Sequence, residues 1–122
     1  MFLIDTNIFL EILLEQEKKE DCKKFLNDHI GNLHITDFSL HSIGVILFKY
    51  KKKNVYRKFI NDILPNVRLL SLPLEQYDKV INVKNLDFDD AYQYLVANYY
   101  GLQITTMDKD FNKINDENII FI

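Results

Sequence analysis

Met1-Phe2-Leu3-Ile4-Asp5-Thr6-Asn7 opens the chain, and this stretch decides its fold. Its apolar residues stop abruptly at Asp5, and apolar residues then recur at helical spacing from Ile8 to Leu13. An apolar strand that runs into a carboxylate is the arrangement by which an open α/β sheet places a ligand site at the carboxyl ends of its strands. A helix cap at Asp5 or Thr6 would leave the same pattern. A functional interpretation therefore requires partner groups for Asp5 elsewhere in the chain.

The composition is that of one ordinary globular domain. The chain has 122 residues, 48% of them hydrophobic and 27% charged, so we expect a single domain over residues 1–122. Its net charge of −3 excludes a general attraction to nucleic acid but leaves room for a local basic patch. Cys22 is the only cysteine, which excludes an internal disulfide and fits a reducing compartment. No apolar run reaches membrane-spanning length, and we expect a cytoplasmic protein.

Apolar, strand-like runs alternate with helical patterns along the whole chain. Because these runs are apolar throughout, they fit strands covered on both sides, which is typical of a parallel sheet with helices on both faces. The sequence therefore predicts an α/β fold whose strands cover residues 1–4, 33–36, 67–72, 102–105 and 119–122.

Polar residues and glycine set the expected ends of the helices. Asp37 or Ser39 is predicted to cap the helix after the second strand, and Asn54 to cap the helix that follows a basic run. A helix with a regular apolar stripe is then predicted from Asp87 to Gly101, where glycine ends it.

Three carboxylates occupy corresponding places in this arrangement. Asp5 ends the first strand, Asp108 lies just past the fourth, and Asp90 sits in the first turn of the helix that leads into the fourth. If strands one and four are neighbours, all three converge at one edge of the sheet. Such a cluster is costly because like charges raise one another's pKa, and a divalent cation relieves that cost. Mg²⁺ and Mn²⁺ prefer oxygen ligands, and a metal-activated water in such a site hydrolyses phosphodiester bonds.

Each of these carboxylates also has a purely structural interpretation. Asp90 can form a capping pair with Asp87, and Asp108 can be a turn residue with Asp110 as its solvated neighbour. Their joint placement at strand ends and a helix start favours the metal site.

Three motifs, in this order, resemble those of PIN domains. They are Leu3-Ile4-Asp5-Thr6-Asn7-Ile8, Leu86-Asp87-Phe88-Asp89-Asp90-Ala91 and Ile104-Thr105-Thr106-Met107-Asp108-Lys109-Asp110-Phe111. The resemblance covers essentially the whole chain and implies a three-layer sandwich with a five-stranded parallel sheet of order 3-2-1-4-5. It also implies a Mg²⁺- or Mn²⁺-dependent endoribonuclease that acts on RNA. At this size the chain is similar to the toxin of a VapBC-type toxin–antitoxin pair, which implies a homodimer silenced by a small antitoxin.

The resemblance assigns roles to individual residues. Asp5, Asp90 and Asp108 match the family's catalytic and metal-binding acids. A supporting role falls to the polar residues beside them, which are Thr6, Asn7, Asp87, Thr106 and Asp110.

One position departs from the family pattern. The family usually has a glutamate early in the helix after strand two, where this chain has Ser42. Ser42 can hydrogen-bond a metal-bound water but brings no charge, so the departure implies a weakened site. The adjacent His41 points about 100° away on a helix and is a poor substitute. Glu11 can supply a carboxylate instead, although a solvated helix face explains that residue better.

A basic run with interleaved tyrosines lies between two predicted helices. Its candidate RNA contacts are Lys51, Lys52, Lys53 and Arg57, because lysine and arginine meet phosphate and the tyrosine rings can stack on unpaired bases. A solvated corner between helices would have the same composition, and the sequence favours neither interpretation.

Other functions stay open from the residues alone. The first alternative is a PIN-like module that has lost strong catalysis and binds RNA or a protein, which Ser42 supports. A phosphatase with Asp5 as covalent nucleophile would need a general acid two residues on, where Asn7 cannot serve. A response-regulator-like switch would need a lysine at a later strand end, and Lys109 is not well placed for that.

Overall fold

The computed structural model describes residues 1–114 and 116–122 and shows strands and helices alternating along the chain. The strands are β1 (Phe2–Ile4), β2 (Leu33–Thr36), β3 (Arg68–Leu70), β4 (Gln103–Thr106) and β5 (Ile119–Phe121). The α-helices are α1 (Thr6–Leu13), α2 (Lys19–Asp28), α3 (Asp37–Lys49), α4 (Lys53–Lys58) and α5 (Phe88–Tyr100). A π-helical segment at Phe59–Ile63 continues α4, and 3₁₀ segments cover Leu64–Asn66, Leu74–Asn82 and Lys109–Lys113. Along the described chain, no helix is both long and apolar enough to cross a membrane.

All the strands run parallel, and their order β3-β2-β1-β4-β5 confirms the order that the resemblance implies. β1 lies at the centre, where Phe2 is opposite Leu33 of β2 and Gln103 of β4. Because parallel strands point the same way, the carboxyl ends of β1 and β4 meet at one edge of the sheet. The residues that follow these two strands are therefore brought together there.

Helices cover both faces of the sheet, so the predicted three-layer sandwich is confirmed. Successive residues of β1 point to opposite faces. Ile4 belongs to a cluster with Ile8 and Phe59 on one side, and Leu3 to a cluster with Val96 of α5 on the other. These side chains have no exposed surface, and burying each one contributes roughly 1.5–3 kcal/mol. α5 thus lies on the face opposite α1, and its first turn reaches the edge where β1 ends.

Two predicted helix caps are wrong. Thr36 caps α3, because β2 continues into the helix without an intervening turn and the Thr36 hydroxyl oxygen accepts the Ser39 backbone N–H at 3.0 Å. Neither Asp37 nor Ser39 has that role. Asn54 lies inside the first turn of α4, because the chain already reverses at Lys51, whose φ is 59°.

β4 lies one residue further along the chain than predicted. Gly101 adopts the left-handed conformation that ends α5, with φ at 68°, and the next N–H, that of Leu102, donates to the Ala97 carbonyl at 2.8 Å. Leu102 is therefore used in closing the helix, and pairing in β4 continues through Thr106. As a result Thr106 ends its strand at the same edge as Asp5.

Candidate active site

A cavity of about 360 Å³ opens at the carboxyl edge of the sheet, where β1 and β4 end beside α3 and α5. Six aspartates line it, and they are Asp5, Asp87, Asp89, Asp90, Asp108 and Asp110. The described residues around it include no lysine, arginine or histidine. A concave surface with this many carboxylates and no basic side chain has a negative potential that attracts cations.

Asp5 is held in place by three donors. Its Oδ1 accepts the Thr6 backbone N–H at 2.8 Å and the Gln93 side-chain N–H at 3.3 Å, and its Oδ2 accepts the Thr106 hydroxyl at 2.7 Å. Asp5 is also the N-cap of α1, so the capping role and the place in the cavity coexist. Burial raises the pKa of Asp5 more than these hydrogen bonds lower it, and the nearby Asp108 charge adds to the rise.

Asp90, Asp108 and Asp110 bring carboxylate oxygens within 4.8 Å of one another. The backbone N–H of Asp90, in the first turn of α5, donates to Asp87 Oδ1 at 2.9 Å. Asp108 Oδ1 accepts the Asp110 backbone N–H at 2.9 Å. The capping pairs considered from the sequence are thus present, and the same aspartates border the same cavity as Asp5.

Crowding changes the acidity of Asp90. Burial, together with the charges of Asp108, Asp87, Asp5 and Asp110, raises the pKa of Asp90 from 3.8 to about 7, and burial is the largest of these causes. A bound Mg²⁺ or Mn²⁺ would relieve this repulsion, since both ions prefer oxygen ligands. The carboxylates of Asp90, Asp108 and Asp110 are close enough together to fit a divalent cation. Asp5 borders the same cavity, and its predicted role as a metal ligand stays a prediction, whereas Asp110 was expected only as a supporting residue.

Without metal, the protein should lose stability as the pH rises from about 4 to about 7. The folded state binds the Asp90 proton more tightly than the unfolded chain does, because the pKa rises from 3.8 to about 7 on folding. This contribution to stability is fully present below the unfolded pKa and is lost as the pH rises through the folded pKa. We expect a loss of about 1–2 kcal/mol, since solvent screens the half-buried carboxyl group.

Urea unfolding in EDTA at several pH values measures this loss. Asp90→Asn should flatten the pH dependence of the unfolding free energy, whereas Asp78→Asn, at an exposed position outside the cavity, should leave it unchanged. Identical pH slopes in Asp90→Asn and the wild type would contradict the raised pKa of Asp90.

Asn7 and Thr106 connect β1 with the loop that follows β4. The Thr106 hydroxyl oxygen accepts the Asp108 backbone N–H at 2.8 Å while its proton goes to Asp5. Asn7 Oδ1 accepts the Met107 backbone N–H at 3.3 Å. These bonds hold the turn that carries Asp108 in place relative to Asp5, while the supporting role predicted for Asn7 and Thr106 stays a prediction.

Ser42, where the resemblance leads us to expect a glutamate, borders the cavity from α3. The neighbouring His41 is exposed and lines a different groove. The interpretation of Glu11 as a solvated residue is wrong, because Glu11 is 8% exposed and its Oε2 accepts the Lys18 backbone N–H at 2.8 Å. That bond ties α1 to the chain just before α2, and Glu11 does not line the cavity.

Sequence reasoning missed Gln93. It is 1% exposed, and its side-chain amide donates to Asp5 and to the Ser39 hydroxyl oxygen. A signal was available in its spacing, because residues three apart on a helix share a face. Gln93 lies three positions after Asp90, which places a polar side chain beside a predicted ligand.

The basic run follows the carboxyl end of α3, beyond the residues of that helix that line the cavity. α3 has 13 residues, which at about 1.5 Å per residue puts Lys51, Lys52 and Lys53 about 20 Å from its start. These lysines and Arg57 are exposed, and the Lys53 ammonium lies 5.2 Å from the centre of the Phe48 ring. The structure brings them together as one surface but not with the aspartates, so their contact with RNA stays a prediction.

Comparison with known proteins agrees with this architecture. A family model described as PIN domain matches residues 2–117. No curated protein matches the chain.

Solved structures with the same fold include three toxin-related proteins. A toxin–antitoxin complex from Klebsiella pneumoniae is 18% identical, with a TM-score of 0.78 over 98% of this chain and 96% of that one. VapBC2 from Rickettsia felis, bound to a DNA fragment from its promoter, is 14% identical, with a TM-score of 0.78 over 99% and 96%. VapC20 from Mycobacterium tuberculosis, described as a Sarcin–Ricin loop cleaving toxin, is 14% identical, with a TM-score of 0.77 over 98% and 99%. At these identities the similarity shows the fold.

Proposed function

Because the chain belongs to the PIN domain family, we propose that it is a divalent-metal-dependent endoribonuclease that hydrolyses RNA phosphodiester bonds. The observation that carries this proposal is the cavity lined by six aspartates, with no basic side chain among its described residues. Carboxylates at this density repel one another unless they hold a cation. The description of VapC20 as a toxin that cleaves the Sarcin–Ricin loop adds support from a structural neighbour.

The chain's own residues bind and orient the groups that this reaction needs. Asp5, Asp90, Asp108 and Asp110 would hold Mg²⁺ or Mn²⁺, which when bound activates a water and stabilises charge on the phosphate. Thr106 keeps the Asp5 carboxylate in one orientation. Apolar side chains also border the cavity, and by limiting water they strengthen interactions between charges there.

The same proposal includes protein partners. We expect a small antitoxin, because one structural neighbour is a toxin–antitoxin complex. We also expect a second copy of the chain, which the resemblance to VapBC-type toxins implies, and a location in the cytoplasm. Two grooves that share Asp37 and His41 contain the exposed apolar side chains of Val45, Phe48, Tyr77 and Phe88. Exposed apolar patches of this kind mark protein interfaces. Sedimentation equilibrium of the purified chain tests the homodimer.

Cleavage of a labelled single-stranded RNA, titrated with Mn²⁺ and with Mg²⁺, tests the nuclease activity. We expect cleavage that depends on added metal and stops in EDTA. RNA binding without cleavage at any metal concentration would instead favour the alternative, a catalytically weakened PIN-like module that binds RNA or a protein.

Replacement of Lys51, Lys52 and Lys53 by glutamine should weaken RNA binding equally for all sequences. A plot of the logarithm of the binding constant against the logarithm of the salt concentration has a negative slope, to which each phosphate contact with a single strand contributes about 0.7. Loss of up to three contacts should therefore make this slope less steep by up to about 2. Affinity measured at several salt concentrations gives this slope.

The matched control for the lysine variant changes Lys19, Lys23 and Lys24 to glutamine. These lysines carry the same total charge but lie on α2, where each is close to a carboxylate. If both triple variants have the wild-type salt slope, the basic run is only a solvated corner between helices.

A further inference from the structure

A buried amide, Gln93, lies at the centre of a hydrogen-bond chain that ends at the cavity. The Thr36 hydroxyl donates to Gln93 Oε1 at 2.7 Å. Gln93 Nε2 donates to the Ser39 hydroxyl oxygen at 2.7 Å and to Asp5 Oδ1 at 3.3 Å. The Ser39 and Thr6 hydroxyl oxygens lie 2.7 Å apart. Thr36 and Ser39 have no exposed surface, so this series of hydrogen bonds links the core to the cavity without intervening solvent.

The surrounding groups fix the orientation of the Gln93 amide. Thr36 Oγ1 already accepts the Ser39 backbone N–H at 3.0 Å, so its proton is available for Gln93 Oε1. The reversed amide would bring Oε1 against the Asp5 carboxylate, which accepts hydrogen bonds and cannot donate one when ionised. Only the orientation with Nε2 toward Asp5 therefore satisfies all these groups.

The orientation of the Gln93 amide also determines which of the two hydroxyl groups, Ser39 or Thr6, donates to the other. The Ser39 oxygen accepts from Gln93 Nε2, so the Ser39 proton needs another acceptor. Ser39 has no exposed surface, and the Thr6 hydroxyl oxygen lies 2.7 Å away, so donation to Thr6 Oγ1 is the arrangement that leaves no buried proton unpaired. The Thr6 hydroxyl proton then has to point elsewhere. Thr6 is half-buried and lines the cavity, so its O–H is available to a ligand there.

A free hydroxyl proton matters in a cavity whose other groups are mostly acceptors. The six aspartates that line it can only accept hydrogen bonds when ionised. Phosphate oxygens need donors, which on nucleic-acid-binding surfaces are lysine and arginine, neutral polar side chains such as threonine, and backbone N–H groups. The described residues around this cavity include no lysine or arginine, so a directed hydroxyl supplies a donor that the side-chain charges do not.

We propose that Gln93 is a positioning residue that orients Asp5 for the cation and, through Ser39, directs the Thr6 hydroxyl at a phosphate oxygen of the RNA. This inference rests on the proposed nuclease function and adds the group that recognises the scissile phosphate. Groups that orient metal ligands change metal affinity or activity by about 10–100-fold when they are replaced. Gln93 and Thr6 should therefore have separable effects, one on the cation and the other on the substrate.

Gln93→Met tests the positioning of Asp5, because methionine keeps the unbranched length and removes the amide. Isothermal titration calorimetry with Mn²⁺, far below the melting temperature, should give an affinity at least about tenfold lower than that of the wild type. A role confined to packing would lower the melting temperature and leave the Mn²⁺ affinity of the folded protein unchanged. That result would overturn the positioning role of Gln93.

Thr6→Val and Thr6→Ser test the hydroxyl directly, and both remain informative if Gln93→Met fails to fold. Thr6→Val should lower kcat/KM for RNA cleavage by about tenfold or more, as expected for a lost hydrogen bond to a charged group, with unchanged Mn²⁺ affinity. Thr6→Ser keeps the hydroxyl and should cleave nearly as fast as the wild type. A wild-type kcat/KM in Thr6→Val would overturn the proposal that the Thr6 hydroxyl donates to a phosphate oxygen of the RNA.

These readouts separate failure of the inference from failure of the proposed function. A wild-type protein that binds Mn²⁺ without cleaving RNA would contradict the nuclease function, while the Mn²⁺ affinity of Gln93→Met still decides the positioning of Asp5. A wild-type protein that cleaves RNA, with wild-type behaviour in both Gln93→Met and Thr6→Val, would overturn the inference alone. A wild-type protein that binds no Mn²⁺ would overturn both.

Discussion

Asp5→Asn should abolish Mn²⁺ binding and lower RNA cleavage by more than about 100-fold, an effect larger than that of residues that only orient ligands. The metal-free variant should be at least as stable as the wild type. Burial raises the pKa of Asp5, so its ionised form disfavours folding at neutral pH. The amide keeps an oxygen for the Thr6 and Gln93 donors, and its NH₂ group can donate to the Thr106 hydroxyl oxygen.

Isothermal titration calorimetry measures the Mn²⁺ affinity, and urea unfolding in EDTA measures the stability of the metal-free protein. Asp78→Asn is the matched control, since the same substitution at an exposed position outside the cavity should change neither quantity. A large loss of metal-free stability together with unchanged Mn²⁺ binding would show that Asp5 serves only as the cap of α1.

Ser42→Glu should lower the Mn²⁺ concentration required for half-maximal cleavage by about tenfold, because an added carboxylate near the cation strengthens its binding. Ser42 lines the cavity with Asp5, Asp90 and Asp108, so we expect the longer side chain to extend toward these carboxylates and the fold to stay unchanged. We expect the wild type to be a weak nuclease that needs high metal concentrations, and the variant to cleave single-stranded RNA faster.

Matched variants separate charge from shape at this position. Ser42→Gln adds the same length without the charge and should keep the wild-type metal requirement. His41→Glu adds the same charge on the exposed neighbour and should also leave it unchanged. Asp5→Asn in each background controls for contaminating nucleases. If Ser42→Glu leaves the titration curve unmoved and the wild type is already active at low metal concentration, another residue completes the site.

The alternation of apolar runs with helical patterns was sufficient to predict the α/β class. Strands covered on both faces must be apolar throughout, and a helix must carry its apolar residues on one stripe, so both signals are local. Asp5 is recognisable for the same reason, because the apolar run of β1 stops at it. The strand order came from the resemblance to PIN domains and is confirmed by the pairing of β1 with β2 and β4.

Features that depend on which elements face each other could not be predicted from these patterns. β4 begins one residue later than predicted because the Leu102 N–H is used in closing α5. Thr36 replaced the expected caps because β2 runs directly into α3. Glu11 is buried because α2 folds back over it, although its position on α1 gives no sign of that.

The amino-acid order therefore specified most of the elements and the position of each aspartate at a strand end or a helix start, since each follows from residues close together in the chain. Their meeting at one edge depends on the pairing of β1 with β4. Packing decided the chemistry around Asp5. Gln93 meets it across 88 positions of sequence and Thr106 across 101, and such contacts exist only because α5 and β4 are brought against β1. The spacing of apolar residues along the sequence indicates which side chains are buried, whereas the fold determines which groups those side chains contact.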